Sequence, residues 1–363
     1  MSVAAQREAG RIATADVVEA AARVAAEIGG GRCAVAAFRS AGLLDMSAPA
    51  GPRPDPVSIL YAIEEVANAD GSAGWLLAAA QRSCLLHWAG PEAREQVAPG
   101  AFVTGSPRPE GNLVRDGKGY RVSGSWGAVP GAAEADWFAL PVWAGDVPTA
   151  VLLPAEDVRG GSVPVSIGLE SAACQDIHVD GALVPASRVI DPFGPPRTPG
   201  TPPFAATGRQ AGTAVALGLS RRALHEFASA ARHRSRLGSV TRMAEQPLMQ
   251  KELNRAVQSF RAGRELLLAE TARLAESGVA LAGASGGTRA NLAAAQLHAQ
   301  RVAHEAVRFA FTKAGGSALY TGHPLEVRWR DSETVAQQWV FGAGTERHVA
   351  RAQFGDYVPQ FVL

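Results

Sequence analysis

The chain has 363 residues, which is enough for two or three domains and a sizeable core. Its 35 Lys and Arg nearly balance its 34 Asp and Glu, so its charge gives no sign of a nucleic-acid partner. No apolar run reaches the roughly 18 residues of a membrane span, and the N-terminus lacks the basic and apolar parts of a secretory signal. We therefore expect a cytoplasmic protein that binds neither nucleic acid nor membranes.

Cysteine and histidine spacing gives no sign of a disulfide framework or a metal centre. Cys33, Cys84 and Cys174 are far apart and odd in number, and none belongs to a C-x-x-C pair. The eight histidines never pair with Cys, Asp or Glu at metal-ligand spacing. G-x-S-x-G, P-loop and Rossmann fingerprints are missing as well. The expected site is therefore free of metal.

Helical periodicity dominates the N-terminal part of the chain. Ser72 is placed to cap a helix that runs through the Ala- and Leu-rich segment after Asp70. We predict an N-terminal helical domain over residues 1–100. The other helical patterns fall at 14–29, 33–43, 57–68 and 91–97.

The pattern changes after Pro99. Short β-rich runs separated by Gly, Pro and Asp turns continue from Phe102 to about Ile190, which predicts a compact antiparallel β domain over 101–192. The segment DPFGPPRTPGTPPF contains too many prolines for regular structure and predicts a linker over 193–204.

Long helical periods return over residues 205–363. They predict an up-and-down helical bundle, and the whole chain is then an α+β protein of helices, sheet and helices. The four periods cover roughly 208–236, 244–278, 287–314 and 326–353.

A glycine-lined junction joins the last two of these periods. Gly315 and Gly316 end one helical pattern, and Pro324 disfavours helical geometry at His323. An accessible bend of this kind is a plausible floor for a cofactor pocket. An ordinary corner between two helices is the alternative interpretation.

Four segments, in order, resemble the acyl-CoA dehydrogenase superfamily, and more closely its oxygen-using branch, the two-component group D flavin monooxygenases. They are DGSAGW at 70–75, GYRVSGSWGAVPGAAEADWF at 119–138, AEQPLMQKELNRA at 244–256 and KAGGSALYTGHPLEVRWRD at 313–331. The resemblance implies an acyl-CoA dehydrogenase-like fold, reduced FMN or FAD as cofactor, a separate flavin reductase as partner, and a homotetramer or homodimer.

The resemblance also suggests where a flavin is held. Thr104 and Ser106 form a small polar strand end, and Trp126 occupies a position where relatives place an aromatic against the flavin ring. Arg234, among the arginines at 232, 234 and 236, is expected near the phosphate of a flavin in a neighbouring subunit. Gly315 and Gly316, in the glycine-lined junction, are the remaining predicted cofactor-binding residues. Pro130 replaces a serine of many relatives.

The groups that would handle protons depart from the family pattern. Gly322 stands where acyl-CoA dehydrogenases commonly carry their catalytic glutamate, and Gln338 stands where many group D enzymes carry a histidine. Gln338 can form hydrogen bonds but cannot act as a general base. We therefore expect His323, whose imidazole titrates near neutral pH, to take over this role, with a surface or capping histidine as the alternative.

Two segments are expected to face the substrate. Gln81, Ser83 and His87 follow the DGSAGW segment, although a buried structural role suits His87 equally well. Ser171 and Cys174 fall where relatives carry a loop near flavin and substrate.

Three functions remain open from the sequence. The leading hypothesis is a flavin-dependent monooxygenase that acts on a small or medium aromatic or amine-bearing metabolite, with oxygen added at C4a of the flavin. An acyl-CoA dehydrogenase would need a displaced base, which Glu326 or Glu333 would have to supply. The third possibility is a non-catalytic partner subunit that keeps the fold.

Overall fold

The computed structural model describes most of the chain. Cys33, Arg236 and part of the predicted linker over 193–204 lie outside the described residues. The described ranges are 3–28, 34–51, 54–198, 204–235, 238–276 and 285–356.

Within the described ranges, five α-helices form the N-terminal part. Asp55 caps α3 by accepting hydrogen bonds from two backbone N–H groups, and Pro91 opens α5 as its pattern predicts. Asp70, not Ser72, caps α4, because the Asp70 carboxylate accepts from the backbone N–H of Ala73 at 2.8 Å. The helices are α1 (Val3–Ile28), α2 (Ala34–Ser40), α3 (Pro56–Ala69), α4 (Gly71–Ala80) and α5 (Pro91–Gln96).

A single sheet follows, with strand order β6-β7-β3-β2-β4-β5-β8 and β1 paired to β4. The predicted antiparallel character holds for most strand pairs, whereas β1 and β2 each pair with β4 in parallel. The β2–β3 hairpin reverses direction before β4 begins, so β4 runs parallel to β2 when it pairs on that side. The strands are β1 (Val103–Thr104), β2 (Gly111–Asp116), β3 (Gly119–Val129), β4 (Trp137–Ala144), β5 (Val147–Pro154), β6 (Arg159–Gly160), β7 (Gln175–Val184) and β8 (Val189–Ile190).

The C-terminal helices form a bundle around α6, which packs against α3, α8 and α9. The predicted helix over 326–353 is in fact two helices. The backbone turns extended at Gln338, a 3-10 turn follows at Trp339–Phe341, and α10 starts after Gly342. The helices are α6 (Phe204–Ala231), α7 (Pro247–Glu276), α8 (Gly286–Ala314), α9 (Pro324–Ala336) and α10 (Ala343–Gln353).

One buried cluster runs through all three parts of the chain. Leu77 of α4, Phe102 before the sheet, Trp126 of β3 and Leu219 of α6 all belong to it. The sheet and both sets of helices therefore share a core, and the space between them has fixed walls.

Polar contacts join α9 to the loop before β7 and to the end of α3. Asp331, only 5% exposed, accepts a hydrogen bond from the backbone N–H of Leu169 at 2.6 Å. Arg330 donates to the carbonyl of Ile167 at 2.6 Å, and Arg328 donates to the carbonyl of Ala69 at 2.9 Å. Burial raises the pKa of Asp331. These contacts set the distance between the bundle and the loop that precedes β7.

Gly168 lies at the tightest point of this junction. A Cβ built on it would overlap the backbone carbonyl of Arg330 in α9. Leu169, the next residue, has a backbone φ of +55°, which is a left-handed conformation that residues other than glycine rarely adopt. The loop can lie this close to α9 only because residue 168 has no side chain.

None of the helices in the described part of the chain combines the length and apolarity that a membrane span requires.

We expect Gly168→Ala to lower the free energy of unfolding by about 1–3 kcal/mol, because the added methyl group pushes the loop away from α9. The matched control is Gly344→Ala on α10, where a Cβ meets nothing within 4 Å. The control should leave stability unchanged or raise it by up to about 1 kcal/mol. Urea unfolding followed by circular dichroism measures both. Equal stability of the two variants would contradict the close approach described above.

Candidate functional site

A cavity of about 440 Å³ lies between the sheet, α4 and the bundle. This volume falls in the range of about 300–1,000 Å³ that is typical of small-molecule sites. Helix α4 with the turn that follows it forms one side, strand ends and the loop before β7 form a second, and α6 with the segment after α9 forms a third. The lining residues come from the segments 75–84, 105–110, 127–130, 166–174, 207–212 and 334–340.

Glycines make parts of this wall flat. They stand at 105 and 127 on the sheet side, at 168 in the junction loop, and at 208 and 212 on α6. A Cβ built on Gly208 would meet nothing within 4 Å, so it would enter open space. Backbone without side chains lets a planar ring approach closely. A Cβ on Gly105, Gly168 or Gly212 would instead meet neighbouring protein atoms at 2.2–2.3 Å. The wall at Gly208 is therefore the part that is open to a flat ring such as a flavin.

The backbone is strained where it borders the cavity. Ala128 and Leu169, which line it, have φ of +52° and +55°, and Ala173 beside the lining residue Cys174 has φ of +45°. These are the non-glycine residues with positive φ in the described part of the chain. Such conformations cost on the order of 1–3 kcal/mol each and persist where surrounding contacts hold them. Their position around one cavity makes it the candidate functional site.

Asp176 holds one of these strained positions. Its carboxylate accepts from the Oγ of Ser162 at 2.5 Å and from the backbone N–H of Ala128 at 2.9 Å. These hydrogen bonds, the Ser162 contact first, lower the pKa of Asp176. The carboxylate thereby fixes the strand end at residues 127–130, which forms the sheet side of the cavity.

Burial shifts the pKa values of three ionisable groups in the wall. Burial lowers the pKa of Arg82 to about 10, so this guanidinium stays charged. Burial raises the pKa of the Cys84 thiol to about 12 and that of Cys174 to about 11, so both thiols stay protonated. Arg108 and Glu110 line the cavity as well, and both are exposed residues.

Four predicted site residues line this cavity: Gln81, Ser106, Cys174 and Gln338. The amide of Gln81 is engaged by the protein, since it accepts from Ser47 Oγ at 2.5 Å and donates to the carbonyl of Leu77 at 2.8 Å. Gln338 differs, because its Oε1 is buried without a hydrogen-bond partner in the described part of the chain.

Four other predicted residues lie behind the walls and do not line the cavity. Thr104 donates to the carbonyl of Pro130 at 2.8 Å, and fully buried Trp126 donates from Nε1 to the carbonyl of Pro141 at 2.9 Å. Ser83 contacts the carbonyl of Leu44, and His87 contacts Ser47 and Thr198. The turn at Gln81–His87 is 3-10 and not α-helical, so Arg82 and Cys84, not Ser83, join Gln81 in the wall.

A third group lies on the outer surface, away from the cavity. Arg234 donates a hydrogen bond to Ser317 Oγ, which places it beside Gly315 and Gly316. Tyr320 of the same junction is 75% exposed. Ser171 is exposed and does not line the cavity either.

His323 lies outside the main cavity. It caps α9, where Nδ1 accepts from the backbone N–H of Leu325 at 3.2 Å, and it lines a second cavity of about 330 Å³ together with residues of α6. Glu326 pairs with Arg330 at 2.5 Å and accepts from the backbone N–H of Gly322 at 3.2 Å. Glu333 lies 3.7 Å from His304 Nε2, and burial lowers the pKa of that histidine. Neither carboxylate lines the main cavity.

Several lining residues escaped sequence reasoning. Trp75 belongs to the DGSAGW segment, but nothing in its spacing separates a cavity wall from a core position. Thr207 stands at the start of α6, and Gln337 and Trp339 flank Gln338 in the unpredicted break after α9. The described residues contain no cluster of three or more His, Cys, Asp or Glu that could hold a metal ion.

Comparison with known proteins agrees with this architecture. Residues 211–341 match the family model "Acyl-CoA dehydrogenase, C-terminal domain". The chain is 24% identical over 314 residues to an indole-3-acetate monooxygenase of Pseudomonas putida, covering 83% of this chain and 80% of the relative. It is 28% identical over 340 residues to the oxygenase component of an FADH(2)-dependent resorcinol hydroxylase of Rhizobium sp., covering 84% and 82%.

Among solved structures, XiaF from Streptomyces sp., in complex with FADH2 and glycerol, superposes with a TM-score of 0.88 at 19% identity, covering 98% of this chain and 99% of that one. At this identity the match shows the fold, which is the acyl-CoA dehydrogenase-like arrangement of helices, sheet and helices. The resemblance found in the four sequence segments is thus confirmed: the C-terminal part of the chain matches the acyl-CoA dehydrogenase C-terminal domain, the fold is acyl-CoA dehydrogenase-like, and the curated relatives include flavin-dependent monooxygenases.

Proposed function

We propose that this protein is the oxygenase component of a two-component flavin-dependent monooxygenase, which takes reduced FMN or FADH2 from a separate reductase. The observation that carries the proposal is the glycine-walled cavity between sheet and bundle, in a chain whose relatives are monooxygenases of this kind. The substrate we expect is a small or medium aromatic or amine-bearing molecule, since Trp75, Leu169 and Trp339 give the cavity apolar surface.

Ser106, Gly127 and Ala128 on the sheet side and Gly208 on α6 would hold the flavin ring between them. When bound, reduced flavin supplies two electrons and two hydrogens to O2, so that one oxygen atom replaces a substrate C–H bond with C–OH and the other leaves as water. The protein would enclose the reacting groups. Its core-packed walls exclude water, and its protonated thiols offer no competing nucleophile.

The structure gives no support to a dehydrogenase that removes an α-proton. Glu326 is engaged with Arg330, Glu333 lies beside His304, and neither reaches the cavity. Gly322, at the position of the common glutamate, offers no side chain. An oxygenase does not require this carboxylate.

Arg234, Gly315 and Gly316 suit a role between subunits. Arg234 contacts Ser317, next to Gly315, Gly316 and exposed Tyr320, and none of these residues lines the cavity of its own chain. We propose that Arg234 contacts the flavin phosphate of a neighbouring copy in a homodimer or homotetramer.

Filling the cavity should weaken flavin binding without unfolding the protein. Gly208→Leu places a side chain in the open space beside α6, and Gly344→Leu on exposed α10 is the matched control. In anaerobic titrations with reduced FMN and FADH2, we expect the wild type and the control to bind and Gly208→Leu to lose at least about tenfold in affinity. After mixing with oxygen and an aromatic substrate, only the first two should form hydroxylated product.

Equal flavin binding by Gly208→Leu and the control would place the flavin elsewhere and contradict the proposal. Arg234→Ala, titrated in the same experiment, tests the intersubunit contact. We expect weaker flavin affinity with an intact cavity.

Thiol labelling gives an independent measure of cavity occupancy. Because the raised pKa of Cys174 leaves little thiolate at neutral pH, iodoacetamide should react slowly at pH 7.5, and the rate should rise about tenfold per pH unit toward the pKa of about 11. Bound FMN should protect Cys174. Cys84, with a pKa of about 12 and 2% exposure, should resist labelling until the protein is denatured.

Peptide mapping by mass spectrometry measures each site separately. Rapid labelling of Cys174 at pH 7.5, or labelling that saturating flavin does not slow, would contradict this assignment.

A further inference from the structure

Arg82 presents a positive charge to the main cavity from the turn at Gln81–His87. The other residues of this turn are buried, whereas Arg82 is half-buried and lines the cavity. Burial nevertheless lowers the pKa of its guanidinium to about 10, which means that the charged end is shielded from bulk water. The accessible surface of Arg82 therefore borders the enclosed cavity and not the outside of the protein.

The contacts of Arg82 place this cation next to the sheet side of the cavity. Its Nη1 donates to the carbonyl of Ala139 at 3.4 Å, and its Cδ lies 3.4 Å from a Cβ built on Gly105. Ser106, which the proposed function places against the flavin ring, follows Gly105 directly and lines the same cavity. A guanidinium has five N–H donors, so Arg82 can keep its contacts with the protein and also donate to a ligand.

The other ionisable groups of the wall do not neutralise this charge. Glu110 is the carboxylate among the described lining residues, and it is exposed and forms no ion pair within the described part of the chain. Arg108, two residues before it, is an exposed cation. The raised pKa values of the Cys84 and Cys174 thiols keep both protonated near neutral pH. The inner part of the cavity therefore has a positive charge at Arg82, and this charge persists up to about pH 10.

We infer that Arg82 pairs with the negative charge of reduced flavin and thereby gives the cavity a preference for the reduced over the oxidised cofactor. Reduced flavin loses a ring N–H proton near neutral pH and then carries a delocalised negative charge, whereas the ring of oxidised flavin is neutral. A shielded guanidinium stabilises an anion far more than a neutral ring, because Coulomb attraction is strong where water is excluded. This inference rests on the proposed function and names the residue that selects the state of its cofactor.

Such a preference suits an oxygenase component whose reductase is a separate protein. Arg82 attracts the flavin that arrives reduced, and this attraction is lost once the two electrons of the flavin have passed to O2. Weaker binding of the oxidised ring then favours its exchange for another reduced molecule. Arg82 is a specificity-determining residue in this scheme and neither takes nor gives a proton.

The ratio of two dissociation constants isolates the charge of the ring. FMN has the same phosphate and ribityl chain in both states, so contacts to them cancel when the Kd of oxidised FMN is divided by the Kd of reduced FMN. Equilibrium dialysis, with the reduced samples kept anaerobic, gives both constants for wild type, Arg82→Met, Arg82→Lys and the control Arg115→Met. Arg115 is exposed on β2 and does not line the cavity.

We expect Arg82→Met to lower this ratio about tenfold, through weaker binding of reduced FMN. Arg82→Lys keeps the charge and should retain most of the ratio, and Arg115→Met should match wild type. Arg82→Gln is a second neutral variant, and it should give the same ratio as Arg82→Met. Circular dichroism establishes that each variant is folded.

An unchanged ratio in both neutral variants would overturn the inference. Equal weakening of both flavin states would overturn it as well, because Arg82 would then act through shape or through the phosphate. A failure of the proposed function shows itself differently. Reduced FMN would then bind equally to Gly208→Leu and wild type, or no protein would form hydroxylated product, whatever the ratio measured for the Arg82 variants.

A pH profile of the ratio gives the second readout. In wild type the ratio should rise between about pH 5.5 and 8, because free reduced flavin loses its ring proton over this range and Arg82 attracts the anion. In Arg82→Met the rise should be much smaller. Arg108, Glu110, Cys84 and Cys174 also face the cavity, but they are the same in both proteins, so the difference between the two profiles reports on Arg82. Identical profiles would contradict the inference.

Discussion

The buried hydrogen bond from the Leu169 N–H to Asp331 is the contact on which the rest of the site depends. It ties the loop before β7 to α9, while Arg328 ties α9 to the end of α3. Burying a carboxylate is costly, and the raised pKa of Asp331 reflects that cost. The chain connects the sheet to the bundle, but this connection alone would let the two move relative to each other. This contact sets their spacing, and the spacing creates the cavity.

The same hydrogen bond explains why a glycine and a strained residue lie next to each other in the loop before β7. The loop fits under α9 only without a side chain at Gly168, and the backbone reaches Asp331 only with Leu169 in a left-handed conformation. On the sheet side, Asp176 holds Ala128 in a similar conformation. Rigid packing elsewhere maintains these unfavourable positions. The result is a cavity with strained backbone and glycines in its walls.

Periodicity predicted the helices and the order of helices, sheet and helices, because apolar spacing is a local property. It did not predict that β4 would pair in parallel with β2, since pairing depends on strands distant in sequence. At the site, Gln81, Ser106, Cys174 and Gln338 line the cavity, whereas Ser83 and His87, in the 3-10 turn that follows α4, contact other parts of the protein. Trp126 was expected against a ligand, yet it fills the core, and tryptophan serves both purposes equally well. The roles of these residues stay predictions.

A crystal structure of the protein grown anaerobically with reduced FMN tests the central claim most directly. We predict planar density for the ring between Ser106 and Ala128 on the sheet side and Gly208 on α6. Ring density in the second cavity beside His323, or anywhere outside the main cavity at saturating flavin, would contradict the account.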